Sequence, residues 1–217
     1  MKHKIIPTIF VLKEENFQGR FERLLKISKE LQIDFMDGRF VHSHFMNFDL
    51  VPDLRKFKKH VFEAHLMTLN PEKYISTLKK KGFKKIIFHY EAYHDNKEII
   101  NLARKIRKEK MKVFLAVNPE TKVPSYLLIL KEFDGILFMG VHPGKEHQKL
   151  INSVYKKIKQ IRKINKKIAI QIDGGVSSDN IKNLAKAGVN LFNTGSFVSE
   201  SAHPREMILK LKKELKS

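Results

Sequence analysis

Short apolar, β-branched runs alternate along this chain with longer stretches whose apolar residues recur every three or four positions. A spacing of two puts side chains on one face of a strand, and a spacing near 3.6 puts them on one face of a helix. The pattern predicts strands at 5–10, 33–36, 62–66, 85–89, 112–117, 135–140, 169–172 and 190–194. It predicts helices at 17–31, 71–81, 97–109, 126–132, 150–164, 180–187 and 204–215, with a short helix at 51–57 in the longer link between the second and third strands. Strands that alternate with helical stretches argue for a parallel sheet with crossover helices. Eight such units in 217 residues fit one (β/α)8 barrel spanning 1–217, a fold that begins at about 200 residues. The alternative is an open doubly wound sheet, but no G-x-G-x-x-G follows the first strand, which weakens a dinucleotide fold.

The pattern also says which side chains point into a barrel. In Q32-I-D-F-M36, the apolar Ile33 and Phe35 suit the outer face under helices, so Gln32, Asp34 and Met36 face inward. The same test turns Glu63, His65 and Met67 inward, and likewise Ala169, Gln171 and Asp173. A lone buried carboxylate such as Asp34 must pair, bind a metal or shift its pKa. Asp34, His65 and Asp173 lie near strand C-termini, where barrel active sites are built. Two carboxylates and an imidazole suit a divalent metal such as zinc, iron or manganese, and equally suit acid–base work on a carbon acid. The bland alternative is a hydrogen-bonded polar cluster inside the barrel. Asp37, just before Gly38, reads as a turn residue.

Composition narrows the partners. The formal charge is +20, but only 8 of the 43 basic residues are arginine. Readers of bases and phosphates lean on arginine forks. The lysines sit at intervals on amphipathic stretches such as V154-Y-K-K-I-K-Q-I-R-K-I164. The charge therefore reads as a solvated surface that draws in small anions, with no nucleic-acid partner expected. There is no cysteine, hence no disulfide framework or thiolate metal site, and no apolar run of about 18 residues that would span a membrane. The start MKHKIIPTIF is basic, but Pro7 breaks its short apolar stretch and no small-residue cleavage site follows, so it does not read as a signal peptide. A cytoplasmic protein is the expectation.

Two stretches look built for an anion: I172-D-G-G-V-S-S178 after the seventh strand and N193-T-G-S-F197 after the eighth. Glycines let backbone N–H groups approach a phosphate, and barrels commonly hold phosphate at these two junctions. The loop V141-H-P-G-K-E-H147 after the sixth strand is placed to close over a ligand.

Taken in order, these segments resemble the ribulose-phosphate 3-epimerase family of phosphate-binding TIM barrels. The resemblance rests on P7-T-I-F10, I33-D-F-M-D-G-R-F-V41, E63-A-H-L-M67 with N70-P-E-K-Y74, F88-H-Y-E91, V117-N-P-E-T121, L137-F-M-G-V-H-P-G144, I172-D-G-G-V176 and T194-G-S196. It implies a single (β/α)8 TIM barrel of the ribulose-phosphate-binding type, in a chain that associates as a homo-oligomer. It implies an isomerase of the pentose phosphate reactions that inverts C3 of a ketose phosphate, D-ribulose 5-phosphate or D-xylulose 5-phosphate, through an enediolate. Asp34 and Asp173 would then be the acid/base pair. A divalent ion (zinc, iron, manganese or cobalt) would be held by Asp34, His65 and Asp173. Met36, Met67 and Met139 would cap the sugar. Thr8 and His65 would touch it, and the backbone of Gly144, Gly174, Gly175, Gly195 and Ser196 would hold the phosphate.

The chain departs from that pattern at three places. Gln32 stands where the family has its remaining histidine ligand, Thr8 where it has a serine, and G144-K-E-H-Q148 where it has a glycine-rich loop. An amide oxygen is a weaker, harder ligand than imidazole. These changes leave open an epimerase for another ketose phosphate, or a diverged member that binds sugar phosphate without turnover. Hexulose-phosphate synthases and related decarboxylases carry D-x-K-x-x-D, whose lysine position is Met36 here.

Overall fold

A computed structural model of the chain describes residues 3–216; Met1 and Lys2 of the basic start, and Ser217, lie outside that range. One sheet contains β1 (Lys4–Ile9), β2 (Glu30–Asp37), the two-residue β3 (His44–Phe45), β4 (Val61–Met67), β5 (Lys85–His89), β6 (Lys112–Val117), β7 (Gly135–Met139), β8 (Ala169–Asp173) and β9 (Leu191–Thr194). All but β3 pair in parallel, and β1 pairs with both β9 and β2, so eight strands close into a barrel. The register places Thr8 beside Gln32, Asp34 beside His65, and Met139 beside Asp173. The barrel read from periodicity is the fold, and the open sheet is not.

The helices follow their apolar spacing. α1 (Glu15–Leu25) buries Phe17, Phe21 and Leu24, and α2 (Ile75–Lys81) buries Ile75 and Leu78. α3 (Asn96–Lys108) buries Ile99, Leu102, Ala103 and Ile106, one stripe at i, i+3, i+4 and i+7. α4 (Val123–Leu127) is short, and α5 (Ser153–Ile164) buries Val154, Ile158 and Ile161, with Lys156, Lys159 and Lys163 exposed and Lys157 donating to the carbonyls of Asn118 and Pro119. α6 (Ile181–Ala187), α7 (Ser196–Ser199) and α8 (Pro204–Glu214) complete the outer ring. These stripes and the outer strand residues Ile33 and Phe35 belong to one large buried cluster. Each such side chain contributes about 1.5–3 kcal/mol by leaving water.

Three elements differ from the sequence pattern. The first helix stops at Leu25 and not at Leu31, because Glu30 and Leu31 are already paired with Val61 and Phe62. Ser28 makes the turn, its N–H donating to Leu24 O and its Oγ to Glu30 O. The expected helix at 51–57 is a 3-10 turn over Leu54–Lys56. The segment expected at 126–132 begins earlier, as α4, and ends in a 3-10 turn over Leu130–Glu132.

Inside the barrel, Ile87, Phe114, Ala116, Leu137 and Met139 form a small apolar cluster. The remaining interior is polar. Lys85 donates to Gln171 Oε1 at 2.9 Å and forms an ion pair with Glu63. Gln171 Nε2 donates to Glu63 Oε1 and to Asn193 Oδ1, each at 2.5 Å. All four residues are buried. A buried charge is tolerated only when paired and hydrogen-bonded. Lys85→Met therefore strands Glu63, and urea unfolding should show a loss of about 3–5 kcal/mol; a loss below about 1 kcal/mol would mean that Glu63 finds another partner.

Candidate active site

At the C-terminal ends of the barrel strands a cavity of about 610 Å³, its open mouth included, is lined by residues from five strands and the loops beyond them. Strand alternation sends Asp34, His65 and Asp173 into it from β2, β4 and β8. Their donor atoms all lie within 4.8 Å of one another, and all three side chains are buried. His65 Nδ1 is 3.2 Å from Asp34 Oδ1 and 3.5 Å from Asp173 Oδ2.

Gln32 sits directly beneath, fully buried and outside the cavity lining. Its Nε2 donates to Asp34 Oδ1 at 2.8 Å and to Asp173 Oδ2 at 2.5 Å. Its Oε1 accepts from Asn193 Nδ2 at 2.7 Å and from Gln171 Nε2 at 3.5 Å. The partners fix this orientation, because a reversed amide would set oxygen against two carboxylates that only accept.

Beyond the carboxylates, His65 Nε2 meets His89 Nε2 at 2.9 Å, and His89 Nδ1 meets Glu91 Oε2 at 3.3 Å. Burial pushes the Asp34 carboxyl up to about 6, with the His65 hydrogen bond pulling it back. Burial works against charge on His65, but the Asp173 and Asp34 carboxylates outweigh it and hold the imidazolium up to about 9. Burial lowers the pKa of His89, and the His65 charge lowers it further. The proton assignment follows: His65 donates from both nitrogens, and neutral His89 accepts at Nε2 and donates to Glu91. His89 thus orients His65. Sequence alone assigns His89 of F88-H-Y-E91 no role; its place one strand along from His65 is the available signal.

The opposite wall is glycine-lined. Gly174 and Gly175 have φ of +93° and +70°, and a Cβ would meet Val141 Cγ2 at 2.3 Å and Leu150 N at 2.7 Å respectively. Only glycine fits both backbones. Thr8, Met67, Met139, Gly144, Gly195 and Ser196 also line the cavity, as the sequence implied. Met36 does not: the short β3 pairs across Met36 and Asp37, and Met36 lies fully buried in the large cluster. Asp37 is the expected turn residue, its Oδ1 accepting from the N–H groups of Arg39 and Phe40 and its Oδ2 from that of Leu69.

The loop after β7 does cover the cavity, through Lys145, Glu146, His147 and Gln148. His147 takes φ of +60°, the left-handed region that favours glycine. Glu146 and His147 are tied to neighbours, with His147 Nε2 2.9 Å from Glu200 Oε2 and Arg20 Nη1 3.5 Å from Glu146 Oε2. The sequence marks this loop as a cover and gives Glu146 no role of its own.

The chemistry of a divalent ion fits three of these residues, since two carboxylate oxygens and an imidazole nitrogen converge with all donor atoms within 4.8 Å of one another. Gln32 does not complete the set, because its oxygen is committed below and its N–H groups face the carboxylates.

Comparison with known proteins gives a consistent picture. The model of the Ribulose-phosphate 3 epimerase family matches residues 4–199. The ribulose-phosphate 3-epimerase of Schizosaccharomyces pombe is 31% identical over 209 residues, covering 94% of this chain and 90% of the yeast protein. That of Mycobacterium tuberculosis H37Rv is 34% identical over 188 residues, covering 85% and 81%. The cytoplasmic isoform of Oryza sativa is 29% identical over 216 residues, covering 98% and 94%. Among solved structures, 3-hexulose-6-phosphate synthase from Salmonella typhimurium superposes with a TM-score of 0.74 at 15% identity over 98% of each chain. Identity that low speaks to the shared barrel alone. No described helix is long and apolar enough to cross a membrane.

The orientation of Gln32 is testable by metal titration of purified protein. Gln32→His, which adds a ring nitrogen beside the carboxylates, should tighten zinc or manganese binding by about tenfold or more. Equal affinity in the two proteins would place Gln32 away from the ion.

Proposed function

The chain belongs to the ribulose-phosphate 3-epimerase family, whose members are isomerases, and on that footing we propose that it inverts C3 of a ketose phosphate, interconverting D-ribulose 5-phosphate and D-xylulose 5-phosphate. The observation that carries the reading is the meeting of Asp34, Asp173 and His65 on one wall of a cavity whose other wall is glycine.

Inversion at a carbon needs one base on each face. β2 and β8 are three steps apart around the eight-strand ring, so Asp34 and Asp173 reach the site from different strands and can address different faces of a substrate carbon. One carboxylate removes the proton at C3, leaving a planar enediolate, and the other returns a proton to the opposite face. A base works best with a pKa near the working pH, and burial moves Asp34 in that direction, up to about 6. A divalent ion held by Asp34, His65 and Asp173 would supply positive charge beside the enediolate oxygen. Without the ion, protonated His65, oriented by His89, holds both carboxylates in place; as a ligand its Nδ1 would give up that proton while Nε2 stays on His89. Met67 and Met139 give the reacting carbons an apolar surface, and Gly174, Gly175, Gly195 and Ser196 form the phosphate end.

The test is epimerisation of D-ribulose 5-phosphate in deuterated water. Wild-type protein should exchange the C3 hydrogen and form D-xylulose 5-phosphate. Asp34→Asn and Asp173→Asn should each lower kcat by about a thousandfold while thermal unfolding stays within a few degrees of wild type. Near-full turnover in either variant would end the two-base assignment.

A further inference from the structure

One group in the cavity has no part in this chemistry. Glu146 lines the cavity alongside Gly174, Gly175, Gly195 and Ser196, on the wall assigned to phosphate. Its side chain is 16% exposed, and its Oε1 is buried without a hydrogen-bond partner. That oxygen stands 3.5 Å from where a Cβ on Gly195 would lie. The space above Gly195 is therefore filled by a carboxylate oxygen. Among the described residues its one ion pair is a long one, the 3.5 Å approach of Arg20 to Oε2. Arg20 is otherwise engaged with Phe10 O and Glu200. Burial pushes the Glu146 carboxyl up to about 7; Arg20 opposes this, while the Glu200 charge, a hydrogen bond with Glu200 and the Asp34 charge add to it. A carboxylate held so poorly is not built for stability, since an unpaired buried acceptor costs free energy.

We propose that Glu146 sets the anion specificity of this site: without ligand its carboxylate occupies the glycine cradle above Gly195, and a phosphate is admitted only by displacing it. The inference rests on the reading of that wall as the phosphate end. Two negative groups cannot share a small, partly dry pocket without strong repulsion. The chain therefore binds phosphate groups more weakly than the cradle alone allows. Glu146 also discriminates against bare anions, which bring no sugar contacts to offset the displacement.

Calorimetric titration with inorganic phosphate, D-ribulose 5-phosphate and uncharged D-ribulose tests this on wild type, Glu146→Gln and Glu146→Ala. Two variants are used so that one misfolded protein does not decide the result. Both should bind inorganic phosphate about tenfold tighter than wild type, with a smaller gain for the sugar phosphate and none for D-ribulose. Glu120→Gln removes an exposed carboxylate that pairs with His142, and should leave the phosphate Kd unchanged. The proposal is overturned if phosphate affinity in both Glu146 variants stays within about twofold of wild type or falls. It is equally overturned if Glu120→Gln gives the same gain, which would be a long-range field effect. Failure of the epimerase reading is separate: it appears as absent C3 exchange while the phosphate gain persists.

Discussion

A closed parallel barrel spends its strand N–H and C=O groups on the ladder between strands, so a polar side chain pointing inward must find another side chain. That constraint organises this molecule. Lys85, Glu63, Gln171, Asn193 and Gln32 connect in a hydrogen-bonded column from the barrel floor to Asp34 and Asp173. The column continues through His65 and His89 to Glu91. Glu91 in turn is held by Asn118 N–H at 2.8 Å and by the Thr121 hydroxyl. Donors and acceptors alternate along it, and each assignment dictates the next. The amide of Gln32 faces the carboxylates nitrogen-first because Asn193 donates to its oxygen from below.

The cavity has two chemically opposite walls as a result. One is a dense set of coupled titratable groups, where burial and paired charge hold Asp34 and His65 far from their solution behaviour. The other is backbone and glycine, shaped by close approach of Val141 and Leu150. The chain around it carries a formal charge of +20, a field that favours the approach of small anions.

Much of this was legible in the residues. Periodicity gave every barrel strand to within a few residues, and strand alternation gave the inward faces of β2, β4 and β8. The glycine pairs marked the anion end. What was not legible depends on contacts between distant segments. The first helix ends early because β4 claims Glu30. Met36 is buried in the large cluster beside a two-residue strand too short for any periodicity. The direction of the Gln32 amide depends on Asn193, which is 161 positions away in sequence. Glu146 looked like an ordinary loop carboxylate until the fold laid it against Gly195.

Arg20 sits where β1, the first strand, joins β9, the last. From α1 it holds the carbonyl of Phe10 just past β1, Glu200 just past α7, and, more loosely, Glu146 of the covering loop. Glu200 in turn holds His147 of the same loop. Arg20 thus touches both the seam of the ring, which the β1–β9 ladder and Arg23 also close, and the loop over the cavity. The joint of the ring and the loop over the cavity therefore share two side chains, Arg20 and Glu200.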